Sequence, residues 1–312
     1  MTLSTPDGLE PSQESARAPQ PASTAIVERR SWLWTLRTAW QTYRQDTAAV
    51  IALGYFLVIV ALTLLAPFIS PHAPNDAVTW RHALPGDEGL LLGADGDGRD
   101  VLSRLLWGGR VSLLIAIVPC LLAMAASLAL GVGAGFVGGW VDHTTMRILD
   151  MFFAFPLVLL AILIASVLSP GLMTVMVAIF IALIPYIARV VRAATLSVKA
   201  QPYIEAARAG GATTWVLITR YVLPNVLAPA VVYTTTLMGL IMVVGAGLSF
   251  LGLGPQPPTA DWGVMVADGR VVLSKAPHVT ILPGIVIVTV AVSFAFIGDG
   301  MRDALDPRTR VR

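Results

Sequence analysis

Few residues in this 312-residue chain have the types and spacing that chemistry requires. Asp95, Gly96, Asp97, Gly98, Arg99 and Asp100 resemble the opening of a calcium loop, which alternates oxygen ligands and closes on a bidentate glutamate. A cation, Arg99, stands at the fifth loop position and Leu106 at the twelfth, so calcium is not expected. His143 follows Asp142, but no second His or Cys lies at zinc spacing, and the pair reads as a solvated cytoplasmic turn. His72, His82 and His278 are equally isolated. A phosphate-binding loop needs Gly-Lys before Ser or Thr, whereas the only lysines, Lys199 and Lys275, follow Val198 and Ser274. The nucleophile motif Gly-x-Ser-x-Gly is absent. Cys120 is the single cysteine and sits in an apolar run, which excludes internal disulfides and thiolate clusters and makes it a small buried hydrophobe. The chain is therefore expected to hold no catalytic site, no metal and no cofactor. If it drives transport, the energy arrives from another protein.

One polar segment carries more information. Residues 189 to 226 read RVVRAATLSVKAQPYIEAARAGGATTWVLITRYVLPNV. Pro202 can open a helix at its first turn, and Glu205 then meets the positive helix end. Ala206, Ala207 and Ala209 give that helix almost no side-chain bulk, and Gly210 with Gly211 permits a left-handed ending. A second stretch runs from Thr213 to Leu223, and Pro224 with Pro229 marks re-entry into the apolar phase. A short helix, small on one side and set on a stiff elbow, suits a groove on a partner protein.

The elements that must hold this segment are membrane helices. The chain is 56% hydrophobic and 13% charged, against about a quarter charged in an ordinary soluble domain. Its formal net charge of +2 gives no reason to expect nucleic acid as a partner. Stretches without Asp, Glu, Lys or Arg cover 48–69, 112–137, 151–169, 171–188, 227–250 and 279–298, each a candidate crossing helix. No ionisable residue lies between the ends of these spans, which argues against proton or sodium coupling at membrane depth. Gly131, Gly135 and Gly139 recur every four residues and predict close helix packing along one face.

Outside the spans, residues 1–28 lack the apolar core of a secretory signal and read as a disordered cytoplasmic tail. Residues 29–47 mix Arg29, Arg30, Arg37 and Arg44 with Trp32, Trp34, Trp40 and Tyr43, which suits an amphipathic helix at the membrane lipid interface. Placing both termini in the cytoplasm puts most cations inside, among them Arg147, Arg189, Arg192, Lys199, Arg208 and Arg220, and leaves Arg81, Arg99, Arg104, Arg110, Arg270 and Lys275 outside. Residues 70–111 then form an extracytoplasmic loop, in which Asp100 starts a short helix that lays Val101, Leu102, Leu105 and Leu106 on the outer leaflet and keeps Arg104 wet. Residues 112–300 hold the five remaining spans, and 301–312 form a cytoplasmic tail.

Glu205, Ala206, Ala207, Gly211, Leu223 and Pro224 match the spacing of the EAA loop (EAA, three residues, G, nine residues, I, one residue, LP) of bacterial ABC importer permeases, with Tyr221 in the isoleucine slot. LGADGDGRDVLSRLLWGGRVSL at 92–113, GGWVDHTTMRILDMFFAFP at 138–156, LSFLGLGPQPPTADWGVMVADGR at 248–270 and GDGMRDALDPR at 298–308 resemble the second permease of the dipeptide, oligopeptide and nickel importers. The resemblance spans about residues 45 to 308 and departs at Gly245, where this subfamily often has Glu, and at Ala295, where Asn is common.

This resemblance implies an all-α polytopic protein of the type I ABC importer permease fold in the bacterial inner membrane. It would act beside a second, similar permease, two ATPase subunits that use ATP and magnesium, and an extracytoplasmic solute-binding protein. Short peptides are the implied cargo, with nickel complexes, glutathione or another small solute as the alternative. Glu205, Ala206, Ala207, Gly210, Gly211, Leu223 and Pro224 are the implied ATPase-coupling residues.

Overall fold

In the computed structural model the described residues are 40–305, so the expected tail at 1–28, most of the interfacial helix at 29–47 and residues 306–312 lie outside them. The described chain is helical, with two isolated β-bridges, Ala77 to Arg99 and Ala94 to Asp100, in one loop. Helix α1 spans Thr47–Leu64, with Asp46 accepting from the N–H groups of Ala48 and Ala49, and Pro67 opens the short α2, Ala66–Ile69. Helix α3, Val101–Val137, is the longest, and α4, Gly139–Phe153, and α5, Leu157–Val167, follow it. Helix α6 spans Leu172–Lys199, α7 Pro202–Ala209 and α8 Thr214–Leu217. A π turn at Ile218–Val222 leads into α9, Leu223–Phe250, and α10, Trp262–Gly269, and α11, His278–Leu305, complete the fold.

Five helices are long and apolar enough to cross a bilayer, and α4 and α5 pass the same test only when taken together, as a pair bent by 85°. Five of the expected spans are present as long helices, the third falls on the bent pair, and three boundaries move. Helix α3 begins at Val101, so the expected short outer helix is its first turns and the loop ends at Asp100. The expected third span, 151–169, shrinks to the 11 residues of α5, about 16 Å at 1.5 Å per residue and too short to cross alone. Pro156 is the physical cause: it starts α5, and the chain bends by 85° between α4 and α5. Helix α11 runs on to Leu305, so residues 301–305 are helix and not tail.

Pro119, Pro185, Pro229 and Pro283 lie inside the long helices, as membrane bundles allow. The core centres on α3 against α6, with α9 lying over both and α11 lying over α9. A Cβ on Gly131 would stand 2.6 Å from Val191 Cγ1 and 2.8 Å from the Ala188 carbonyl, and one on Gly135 would stand 3.0 Å from Thr195 Cβ. These two glycines let α3 and α6 approach closely, as their spacing predicts. Gly139 does not share that face: it starts α4 at φ +57° with open space around it.

The start of α1 and the end of α11 meet. Tyr43 packs with Ala49 and Ala304, and its hydroxyl donates to the Ala49 carbonyl at 3.1 Å.

Candidate functional site

The residues 202–224 form a two-part ledge at the end of α6. Lys199 Nζ donates to the Phe136 carbonyl at 2.6 Å, so the last turn of α6 is fixed to the last turn of α3. Pro202 then opens α7 at its first turn, with Glu205 in that turn. Ile204, Leu217 and Val222 are buried in the bundle core and anchor the ledge, with Ala207 and Ala212 packed beside them. Glu205, Ala206, Arg208, Ala209, Gly210 and Gly211 face outward. Glu205 forms no ion pair with any described residue.

The end of α7 is a complete Schellman motif. Gly211 N donates to the Arg208 carbonyl at 3.0 Å, and Ala212 N donates to the Ala207 carbonyl at 3.0 Å. Gly211 takes φ +84°, and a Cβ there would touch nothing, so the demand for glycine is purely conformational. Gly210 has φ −75° and only caps the helix, so one of the glycine pair, not both, makes the left-handed turn. Thr213 caps α8 by accepting from Val216 N, and the π turn then carries the chain into α9. Pro224 has no N–H to continue an α ladder. The wider turn absorbs the mismatch: Leu223 N donates to the Ile218 carbonyl, and Asn225 Nδ2 donates to the Tyr221 carbonyl at 2.6 Å.

Two aromatic residues extend the outward surface beyond what the sequence suggested. Trp215 is 73% exposed and Tyr203 43% exposed, on either side of the small-residue face. Tyr203 stacks on Tyr221 with ring centroids 6.4 Å apart, tying α7 to the π turn. The signal for Trp215 was its place four residues after the glycine elbow, in an otherwise apolar stretch.

Beside the ledge, Asp142 sits on α4 and not on the expected turn, and Asp150 lies on the same helix. Arg192 donates to both Asp142 oxygens at 2.5 and 2.6 Å, and Arg189 donates to Asp150 at 2.6 Å. Arg189 and Arg192, which the distribution of cations places inside, thus strap α4 across α6. His143 stays exposed on α4, and the described residues contain no cluster of three or more His, Cys, Asp or Glu that could hold a metal.

At the opposite end, residues 70–100 and 251–278 form one polar assembly. Arg104, expected in water, is 1% exposed. Its Nη1 donates to the carbonyls of Pro74 at 3.1 Å and Pro258 at 3.4 Å, and its Nε lies 3.3 Å from Asp95. Arg99 Nε donates to the same carboxylate at 2.8 Å and pairs with Asp97 at 2.7 Å. The calcium-like loop is therefore satisfied by guanidinium groups. Asp261 caps α10 through the N–H groups of Gly263 and Val264 and accepts from Ser112 Oγ at 2.6 Å. Burial pushes its carboxyl above the ordinary carboxylate range, against the opposing pull of those donors. Trp262 Nε1 donates to the Leu105 carbonyl, closing α10 onto α3.

Residues 127–311, more than half of the chain, match the family described as binding-protein-dependent transport system inner membrane component. The chain belongs to this family. Residues 34–85 also match the N-terminal transmembrane domain of oligopeptide transport permease C. This permease is 37% identical over 290 residues to the glutathione transport system permease protein GsiD of Pectobacterium atrosepticum, covering 93% of this chain and 96% of that protein. It is 37% identical over 283 residues to the di/tripeptide transport system permease protein DppC of Pseudomonas aeruginosa, covering 88% and 93%. In three dimensions it resembles the methionine ABC transporter MetNI in an inward-facing crystal form, with a TM-score of 0.54 at 21% identity, over 64% of this chain and 96% of that one. At that identity the likeness shows the fold alone.

The chain is an inner-membrane permease subunit and not an enzyme, and it works with ATPase and binding-protein partners that are separate polypeptides. The divergent Gly245 is explained by packing. A Cβ there would stand 2.5 Å from Ile115 Cγ2, so the α3–α9 crossing at this level has no room for a carboxylate side chain without moving Ile115.

Proposed function

We propose that this permease carries short peptides inward by alternating access, with the ledge formed by α7 and Gly211 docked in a cleft of an ATPase subunit. The observation that carries the reading is the ledge itself: an anchored helix whose outward face, Glu205, Ala206 and Ala209, is small and unpaired, flanked by exposed Tyr203 and Trp215. Such a surface buries little when alone and gains its contacts from a partner. Rigid attachment through Ile204, Leu217 and the Lys199 to Phe136 bond lets movement of the ATPase pass into α6 and α3. ATP and magnesium are used by that partner.

The peptide reading rests on the two relatives whose names specify a tripeptide-sized thiol compound and di- or tripeptides. The long helices carry no Asp, Glu, His, Lys or Arg near their middles, which favours a path that discriminates by size and leaves selectivity to the binding protein. A second, similar permease completes the pore, and both termini with the ledge lie in the cytoplasm. The polar assembly of 70–100 and 251–278 then faces the binding protein.

The test is uptake of a labelled dipeptide and of glutathione into proteoliposomes that hold the complete system. Uptake that needs ATP, both permeases and the binding protein is expected. Equal uptake without the ATPases, or transport of neither compound while another solute class is carried, contradicts the reading. Orientation is checked separately by single cysteines at Ala200 and Ala267 in a Cys120→Ser background. An impermeant thiol reagent added to cells whose outer barrier has been opened should label Ala267→Cys and spare Ala200→Cys.

A further inference from the structure

We infer that α4 is an interfacial helix, lying in the leaflet beside the ledge and holding an anionic phospholipid surface with Arg147. This rests on the assignment of that end of the bundle to the cytoplasm for the identity of the leaflet, though not for the contact with lipid. Three faces of α4 follow from its sequence at about 100° per residue. One, with Leu149, Asp142 and Phe153, turns toward α6: Leu149 is buried and Asp142 is bound by Arg192. A second carries His143 and Arg147, both exposed. The third is a continuous apolar arc of Trp140, Met151, Ile148, Val141 and Phe152, all exposed and interrupted only by Thr144.

Direction and continuity identify what covers that arc. Helix α5 packs along the membrane-crossing α6, and α4 leaves it at 85°. The two ion pairs agree: Asp142 and Asp150 lie about 12 Å apart along α4, while their partners Arg192 and Arg189 lie about 4.5 Å apart along α6, as expected for crossing helices. Helix α4 therefore runs along the membrane plane at the end of the bundle. Its apolar arc continues through exposed Phe155 into the exposed Val158, Leu159 and Leu163 of α5, so one apolar surface runs from α4 onto a helix that packs on the membrane-crossing α6. Trp140, 79% exposed, lies where indole rings favour the headgroup level. Arg147 borders the arc beside Trp140 and pairs with no carboxylate among the described residues, so its charge is available to a phosphate headgroup.

The test places single spin labels at Trp140, Ile148, Met151, His143 and Arg147 in the Cys120→Ser complete transporter, each checked for ATP-driven uptake. Collision with oxygen, which concentrates in lipid, is compared with collision with a water-soluble nickel chelate. Oxygen should dominate at 140, 148 and 151 and the chelate at 143 and 147. Replacing anionic lipids by zwitterionic ones should lower the oxygen-to-chelate ratio at 151 by about twofold, and Arg147→Gln should abolish that lipid sensitivity. Chelate dominance at all five positions overturns the inference, as do labels at 140, 148 and 151 shielded from both probes, the mark of a protein partner. Lipid insensitivity at 151 overturns the role of Arg147. An inverted bundle would change the thiol labelling of Ala200 and Ala267 and leave the oxygen pattern intact, so the two failures are separable.

Discussion

The two ends of this permease are built in opposite ways. Around Arg104 and Asp261, loops are locked by buried charges and caps that satisfy one another: Asp95 serves two arginines, and Asp261 serves a hydroxyl and two backbone N–H groups. At the other end, Glu205 and Arg208 are turned outward and form no ion pair with any described residue, while apolar anchors and a Schellman turn hold the backbone. The first end is stabilised from within. The second is shaped in advance for contacts that another protein supplies. Mutations should therefore cost stability at one end and coupling at the other.

The largest stability effect is expected for Asp95→Ala. It strips the shared carboxylate from two buried guanidinium groups, and breaking such an arrangement costs about 3–5 kcal/mol. Thermal unfolding in detergent and yield in the membrane are the readouts, and a loss within experimental error would show that the outer lock is not structural. Next, Gly131→Ala forces a Cβ to within 2.8 Å of the Ala188 carbonyl and should destabilise the α3–α6 crossing by about 1–3 kcal/mol. Gly133→Ala, with nothing within 4 Å, is the control and should be neutral or slightly stabilising. Equal effects at 131 and 133 would remove close packing as the reason for the glycine repeat.

Smaller in energy, but larger in function, is Gly211→Ala. The left-handed turn penalises a side chain by about 1 kcal/mol, which leaves insertion and bundle stability almost unchanged. ATP-driven uptake should fall well below wild type, and Gly211→Asn, which tolerates φ > 0 better, should retain more of it. The smallest effect concerns pH at the other end. The Asp261 carboxyl is raised on folding, so the folded state holds its proton more tightly and stability falls as pH rises from the ordinary carboxylate range through the raised value. Asp261→Asn should flatten that part of the stability profile, and an unchanged slope would assign it to other groups.

How far the sequence exposed this architecture depends on where the partners lie along the chain. The ledge was legible almost to the residue, because Pro202, the alanines and Gly211 act through local backbone rules that need no distant partner. The spans were legible as apolar runs. Helix α3 was read as starting late because Arg104 and Arg110 interrupt the apolar pattern, and the carbonyls that satisfy Arg104 lie at Pro74 and Pro258, far off in sequence. Helix α4 was missed for a similar reason: its carboxylates meet Arg189 and Arg192, which lie 39 and 50 residues further along the chain. Its junction with α5 was hidden because Pro156 sits inside one uninterrupted apolar stretch. The anchoring role of Ile204 was also unseen, since a lone isoleucine in a polar loop carries no periodic signal.

The central claim, that the ledge couples this permease to its ATPase, is tested most directly by purifying the complex from Glu205→Lys and Gly211→Asp variants alongside wild type. The two exposed positions lie outside the buried core, so membrane levels of the permease should remain near normal. The amount of ATPase recovered with it, and ATP-driven uptake after reconstitution, should both fall sharply. Undiminished ATPase recovery together with wild-type uptake in both variants would contradict the account and leave residues 202–224 as a connector between α6 and α9.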